Sequence, residues 1–151
     1  MFMTNRLEVP AGFREVVRGG PFFMAMAPVF CRSDGNSLVL GLHVRPQHVN
    51  SHGNAHGGML TTLADGALYD NLMLSRGQAE QIVTTSMSID FLSAARIDDW
   101  LEAHVHVHRR GRLLSVADCL LKVGERSVLR VSATFIQPPI PPALSVEQTR
   151  Q

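Results

Sequence analysis

His56-Gly-Gly-Met-Leu-Thr-Thr-Leu-Ala-Asp-Gly-Ala-Leu-Tyr-Asp-Asn-Leu-Met-Leu-Ser-Arg76 is the most informative stretch of this 151-residue chain. Leu60, Leu63, Ala64, Ala67 and Leu68 recur at spacings of three and four, the mark of one helix face. The opposite side carries Met59, Gly66, Tyr69 and Met73 and is not polar either. A helix apolar nearly all round is a buried helix. It is expected from His56 to about Arg76, with Ser75-Arg-Gly77 as its stop.

On the N-terminal side, Val29 to Arg32 and Ser37 to Val44 read as two strands joined at Ser33-Asp-Gly-Asn36, a hairpin. Phe13 to Val17 is expected as a short helix, stopped by Gly19-Gly20-Pro21. On the C-terminal side, Ile82 to Leu92, Trp100 to His108, Leu113 to Val123 and Ser127 to Ile136 are strand-like, with turns at Asp98-Asp99, Gly111 and Gly124. One long helix segregated from a run of mostly antiparallel strands indicates an α+β fold, a sheet wrapped around one central helix. Such a unit leaves strand edges and apolar surface open, so pairing with a second copy is expected. The organisation reads as a lead-in over 1–20, one domain over 21–137, and a loose Pro-rich tail over 138–151.

The hydrophobic fraction of 45% and charged fraction of 18% fit a globular domain with a real core. A net charge of +1 gives no reason to expect a nucleic-acid binder. Phe22 to Cys31, the most apolar run, is about half the length of a membrane-spanning helix and contains Pro28. No signal-peptide core is seen near Met1, and Cys31 and Cys119 form no CxxC pair, so a cytoplasmic protein with reduced thiols is the default.

Two features of the helix carry chemistry. Gly57-Gly58 opens it, and a helix start offers unpaired N–H groups and about half a positive charge. Glycines there let a carbonyl oxygen approach the backbone, or only allow tight packing. Asp65 is an acid within an apolar helix, either a general base or nucleophile, or a structural carboxylate bonded to a neighbouring strand. It lies roughly 12 Å along the axis from Gly57 at 1.5 Å per residue. If both act on one carbonyl, they come from different subunits.

Together, Asn50, His56-Gly57-Gly58 and Leu63-Ala64-Asp65 resemble the signature of the PaaI-like hotdog thioesterases. The resemblance runs from about Gly12 to Ile136 and takes in Gly20-Pro21-Phe22, Asp90-Phe91-Leu92 and Arg109-Arg110-Gly111-Arg112. It implies a hotdog fold and hydrolysis of an acyl-CoA to CoA and a carboxylate, with no metal or redox cofactor, in a homodimer or homotetramer. It further implies that the Gly57 N–H polarises the thioester carbonyl and that Asn50 binds that carbonyl or the hydrolytic water. His56 would orient this region. Asp65 of the partner subunit would be base or nucleophile. Thr84 falls where related enzymes carry a water-positioning hydroxyl, with Thr85 and Ser86 directly after it.

CoA would lie along Phe91 to Arg96 and the next hairpin, where Arg96, Arg109, Arg110 and Arg112 suit phosphate oxygens. The other reading of Arg109 to Arg112 is a solvated turn with Gly111 left-handed. Tyr69, Leu72 and Met73 are pocket candidates. His104, His106 and His108 alternate onto one sheet face and read as exposed or tetramer-facing surface rather than a metal site. Met24, Met26, Met59, Met73 and Met87 read as core or pocket lining. Two rivals to the thioesterase are a non-catalytic acyl-CoA-binding or regulatory module and a hotdog hydratase.

Overall fold

The computed structural model describes residues 7–74, 76 and 81–138. In chain order the elements are β1 (Arg14–Val16), α1 (Gly20–Met24), β2 (Val29–Asp34), β3 (Ser37–His43), a 3-10 turn (Pro46–His48), α2 (Gly57–Met73), β4 (Val83–Phe91), β5 (Trp100–Arg110), β6 (Leu114–Val123) and β7 (Arg126–Ile136). The strands form one seven-stranded sheet in the order β1-β2-β3-β5-β6-β7-β4, antiparallel throughout. Helix α2 packs on β3, β5, β6, β7 and β4, so the sheet curls around it in the α+β arrangement expected.

Alternation on the strands supplies the core. Leu101 and Ala103 of β5, Ala117, Cys119 and Leu121 of β6, and Leu129, Val131, Ala133 and Phe135 of β7 are buried. They meet Leu60, Leu63, Ala64, Ala67, Leu68 and Leu72 of α2, all buried. Met26 is buried with them, and Met24, Met59, Met73 and Met87 pack at the margin. The helix is not enclosed all round, however. Thr62, Asp65, Gly66 and Tyr69 stay partly or fully exposed, because a single sheet covers only one side of a cylinder.

Phe13 to Val17 is not a helix. Arg14–Val16 is a strand paired with Val29–Cys31, and Phe13 is held edge-on against Trp100 with ring centroids 5.1 Å apart. Tertiary pairing overrides local preference here, and the β-branched Val16 suits an extended chain. Gly19-Gly20-Pro21 starts α1 rather than stopping a helix, Pro being well suited to a first turn. The proposed stop at Ser75 and Gly77 lies outside the described residues, as does the tail beyond Pro138.

On the outer sheet face, Trp100 lies over Gly41, where a Cβ would collide with the indole. Phe30 and His43 flank the same ring at 5.7 and 4.8 Å. At the other end of β5, Gly111 is not left-handed. Its need for a hydrogen side chain comes instead from close approach, since a Cβ would strike the Leu114 carbonyl oxygen.

Candidate active site

The start of α2 is built by a stapled loop. Val49 bridges Ala55, and the His56 N–H donates to the His48 carbonyl at 2.8 Å. Asn50 Oδ1 accepts the N–H groups of His52 and Asn54 at 2.9 and 3.2 Å. That oxygen is therefore engaged in holding the loop, and the Asn50 side chain can serve a ligand through its Nδ2 donor. His56 is the N-cap. Its Nδ1 accepts the Gly58 N–H at 2.9 Å, while the Gly57 N–H has no acceptor among the described residues. The cap thus satisfies one glycine donor and leaves the other available.

Two neighbours shape this end. His48 is buried, and its Nδ1 accepts the Arg45 N–H at 3.1 Å. Burial lowers its basicity, and an accepting Nδ1 puts the single proton of the neutral ring on Nε2. Phe91, 62% exposed, lies on the glycine turn, with its Cε1 2.9 Å from where a Gly57 Cβ would stand.

Further along α2, Thr84 Oγ1 donates to Asp65 Oδ1 at 2.8 Å. A bulge between Thr84 and Ser86 decides which hydroxyl does so. Thr85 is the extra residue, and its hydroxyl is turned away to the Thr134 carbonyl at 3.0 Å. Thr84 therefore faces the helix together with Met87 and Ile89.

Asp65 also lines a cleft of about 530 Å³ with Phe22, Phe23, Gly66 and Tyr69. Phe23 packs directly on Gly66, where a Cβ would collide with the ring. The cleft also reaches an ion pair, Arg18 Nη1 to Asp70 Oδ2 at 3.0 Å. Desolvation raises the Asp70 carboxyl above its usual range, and Arg18 partly offsets that. Of the three helix residues expected at a pocket, Tyr69 is in this cleft, whereas Leu72 is fully buried in the core and Met73 packs at its margin.

The arginines do not form one cluster. Arg96 bridges Asn54, beside the loop that holds Asn50. Arg109 to Arg112 lie instead at the C-terminal end of α2, where Arg110 Nη2 donates to the Asn71 carbonyl at 3.0 Å and Arg76 donates to the Gly111 carbonyl at 2.8 Å. Seventeen helical residues separate the two ends, about 25 Å at the usual rise. The histidines lie on the outer sheet face. His104 pairs with Glu102 and His108 with Asp118, each at 3.0 Å, and His106 stacks edge-on against His108. Among the described residues no group of three or more His, Cys, Asp or Glu is placed to hold a metal ion.

Sequence reasoning missed two residues, His48 and Asp70. Asp70 carried the same signal as Asp65, a carboxylate in an apolar helix, and it was overlooked because its partner Arg18 lies 52 positions upstream.

Residues 52–129 match the family model described as "Thioesterase superfamily". A protein of Pseudomonas aeruginosa, named for an inferred esterase activity, is 38% identical over 87% of this chain and 99% of its own length. The mouse protein named acyl-coenzyme A thioesterase 13 is 31% identical over 53% of this chain and 56% of its own. Among solved structures, the Escherichia coli PaaI protein superposes with a TM-score of 0.70 at 24% identity, over 79% of this chain and 86% of that one, and shares its fold.

Proposed function

We propose, from the premise that this chain belongs to the thioesterase superfamily and is a PaaI-like hotdog thioester hydrolase, that its substrate is an acyl-CoA and its active site is shared by two subunits. The observation that carries the proposal is the hydrogen bond from Thr84 to Asp65, a cleft residue on the same helix as the open Gly57 N–H but about 12 Å from it. That separation is too long for one carbonyl and suits two half-sites. Gly57 then works with Asp65 of the partner subunit. The exposed edge of β4 and the open face of α2 are the surfaces such a dimer would cover.

In this reading the thioester oxygen accepts from the Gly57 N–H and from Asn50 Nδ2, at the positive end of α2. His56 keeps the turn in shape through its cap. Asp65, with one oxygen fixed by Thr84, accepts a proton from a water through the other, and Thr84 Oγ1 has a lone pair to orient that water. The water oxygen bonds to the carbonyl carbon, the tetrahedral intermediate expels the CoA sulfur, and the proton on Asp65 passes to it. Phe91 and Arg96 sit at the Gly57 end for the CoA moiety. Arg109, Arg110, Gly111 and Arg112 reach the same CoA only from a neighbouring subunit or along its far end. No cofactor besides CoA, as part of the substrate, enters these steps.

Free-thiol release from a panel of acyl-CoAs tests the activity. Asp65→Asn is expected to abolish release while CoA still binds. Binding without release by the wild type would instead favour a binding module. For the shared site, Gly57→Val and Asp65→Ala chains mixed in equal amounts should recover about a quarter of wild-type activity, since half the dimers are hybrid and each has one intact site. No recovery after proven subunit exchange refutes the shared site.

A further inference from the structure

We infer that the Arg18–Asp70 ion pair ends the acyl cleft and limits the acyl chains it accepts to about six to ten carbons. The inference rests on the acyl-CoA reading and adds a length limit to it. The cleft is lined by Asp65, where the carbonyl is attacked, by Phe22, Phe23 and Tyr69, and by Arg18 and Asp70. Asp65 and Asp70 are five residues apart on α2, about 7.5 Å along its axis. An extended alkyl chain advances about 1.25 Å per carbon, given the bond length and angle at each carbon. Five residues also turn about 140° around the helix, so the path between the two side chains exceeds the rise, and about six to ten carbons span it.

The end of the cleft differs chemically from its walls. Phe22, Phe23 and Tyr69 gain from each methylene, by about fourfold in kcat/KM when the group is fully buried. Arg18 and Asp70 do not. The Asp70 side chain is only 12% exposed, and Oδ2 has no other partner among the described residues than the Arg18 guanidinium. An alkyl terminus arriving there removes the remaining water from a paired charge without supplying a hydrogen bond, which costs free energy. The cleft's charges also sum to −1, from Arg18, Asp65 and Asp70, so an acyl group ending in a carboxylate is disfavoured.

The test is a chain-length series from acetyl-CoA to dodecanoyl-CoA on the wild type and on the double variant Arg18→Met/Asp70→Leu, which replaces the pair by apolar groups of similar size. Wild-type kcat/KM should climb severalfold per added carbon pair to a break between about six and ten carbons and then level or fall. In the double variant the climb should continue past the wild-type break, giving at least about a tenfold gain over the wild type at twelve carbons. A parallel calorimetric series with non-hydrolysable S-alkyl-CoA thioethers reads the same break as affinity, without chemistry. No break in the wild type, or an unmoved break in the variant, overturns the inference. If the double variant fails to fold, the wild-type thioether series decides. Absence of hydrolysis with a clear thioether break would overturn the catalytic reading and leave the cleft limit standing.

Discussion

Thr84→Val isolates one hydrogen bond. Valine keeps the volume and branching of threonine, so no cavity forms and the extended backbone is unaffected. What disappears is a 2.8 Å donor to Asp65 Oδ1. Hydrogen bonds to a charged partner contribute about 1.5–3 kcal/mol, and because Thr84 is exposed the low end applies. A loss of about 1.5 kcal/mol from the transition state corresponds to roughly a tenfold lower kcat. KM should move little, since Thr84 fixes the carboxylate and the attacking water rather than the thioester. Thr84→Ser restores the donor and should return most of the rate. Thr85→Val is the matched control: its hydroxyl is bonded to the Thr134 carbonyl, so kcat should stay near wild type. Steady-state kinetics on a single acyl-CoA for the three variants completes the comparison. Wild-type kcat in Thr84→Val, or equal damage from Thr85→Val, would refute the assignment of the hydroxyl.

Further outcomes follow from burial and packing. Gly66→Ala drives a methyl into the Phe23 ring and should destabilise the fold by about 1–3 kcal/mol, seen as a lower denaturation midpoint; an unchanged midpoint would mean α1 yields freely. Burial holds His48 below its usual basicity, so from about pH 6.5 downward the unfolded chain binds a proton that the folded chain lacks. Stability should therefore fall as pH drops from about 6.5 toward the depressed folded value, and the slope should flatten in His48→Asn; equal slopes in urea titrations would exclude the role. Burial pushes the Cys119 thiol up to about 12 and raises Cys31 as well. Native protein at pH 8 should react slowly with a disulfide reagent and release both thiols on denaturation, whereas fast native reaction would contradict the packing.

The parts legible in the sequence are those with long, strongly periodic apolar patterns. Helix α2 and strands β2 to β7 fall within a few residues of expectation, because each buries a continuous row against the same core. Strand β1 was not legible, since its three residues owe their form to β2 and to the Phe13–Trp100 contact far along the chain. The bulge at Thr85 was hidden too. Ile82 and Thr84 face inward with even numbers, Met87 and Ile89 with odd ones, so no single period of two describes the strand. Asp65 announced itself as a carboxylate in an apolar helix, but its partner among three consecutive hydroxyls could come only from geometry. The same holds for the arginines. The family resemblance suggested phosphate for them, while their placement at opposite ends of α2 depends on how the sheet folds back.

Trp100 is the chain's single tryptophan, and its place on the outer face, against Phe13, Phe30 and His43, gives the molecule a built-in optical reporter. The cleft beside Asp65 lies across the sheet from that indole, on the α2 side. Intrinsic emission should therefore stay constant through a thioester titration and shift to the red when the N-terminal segment detaches. One spectrum can then distinguish loosening of the outer face from events at the reaction centre.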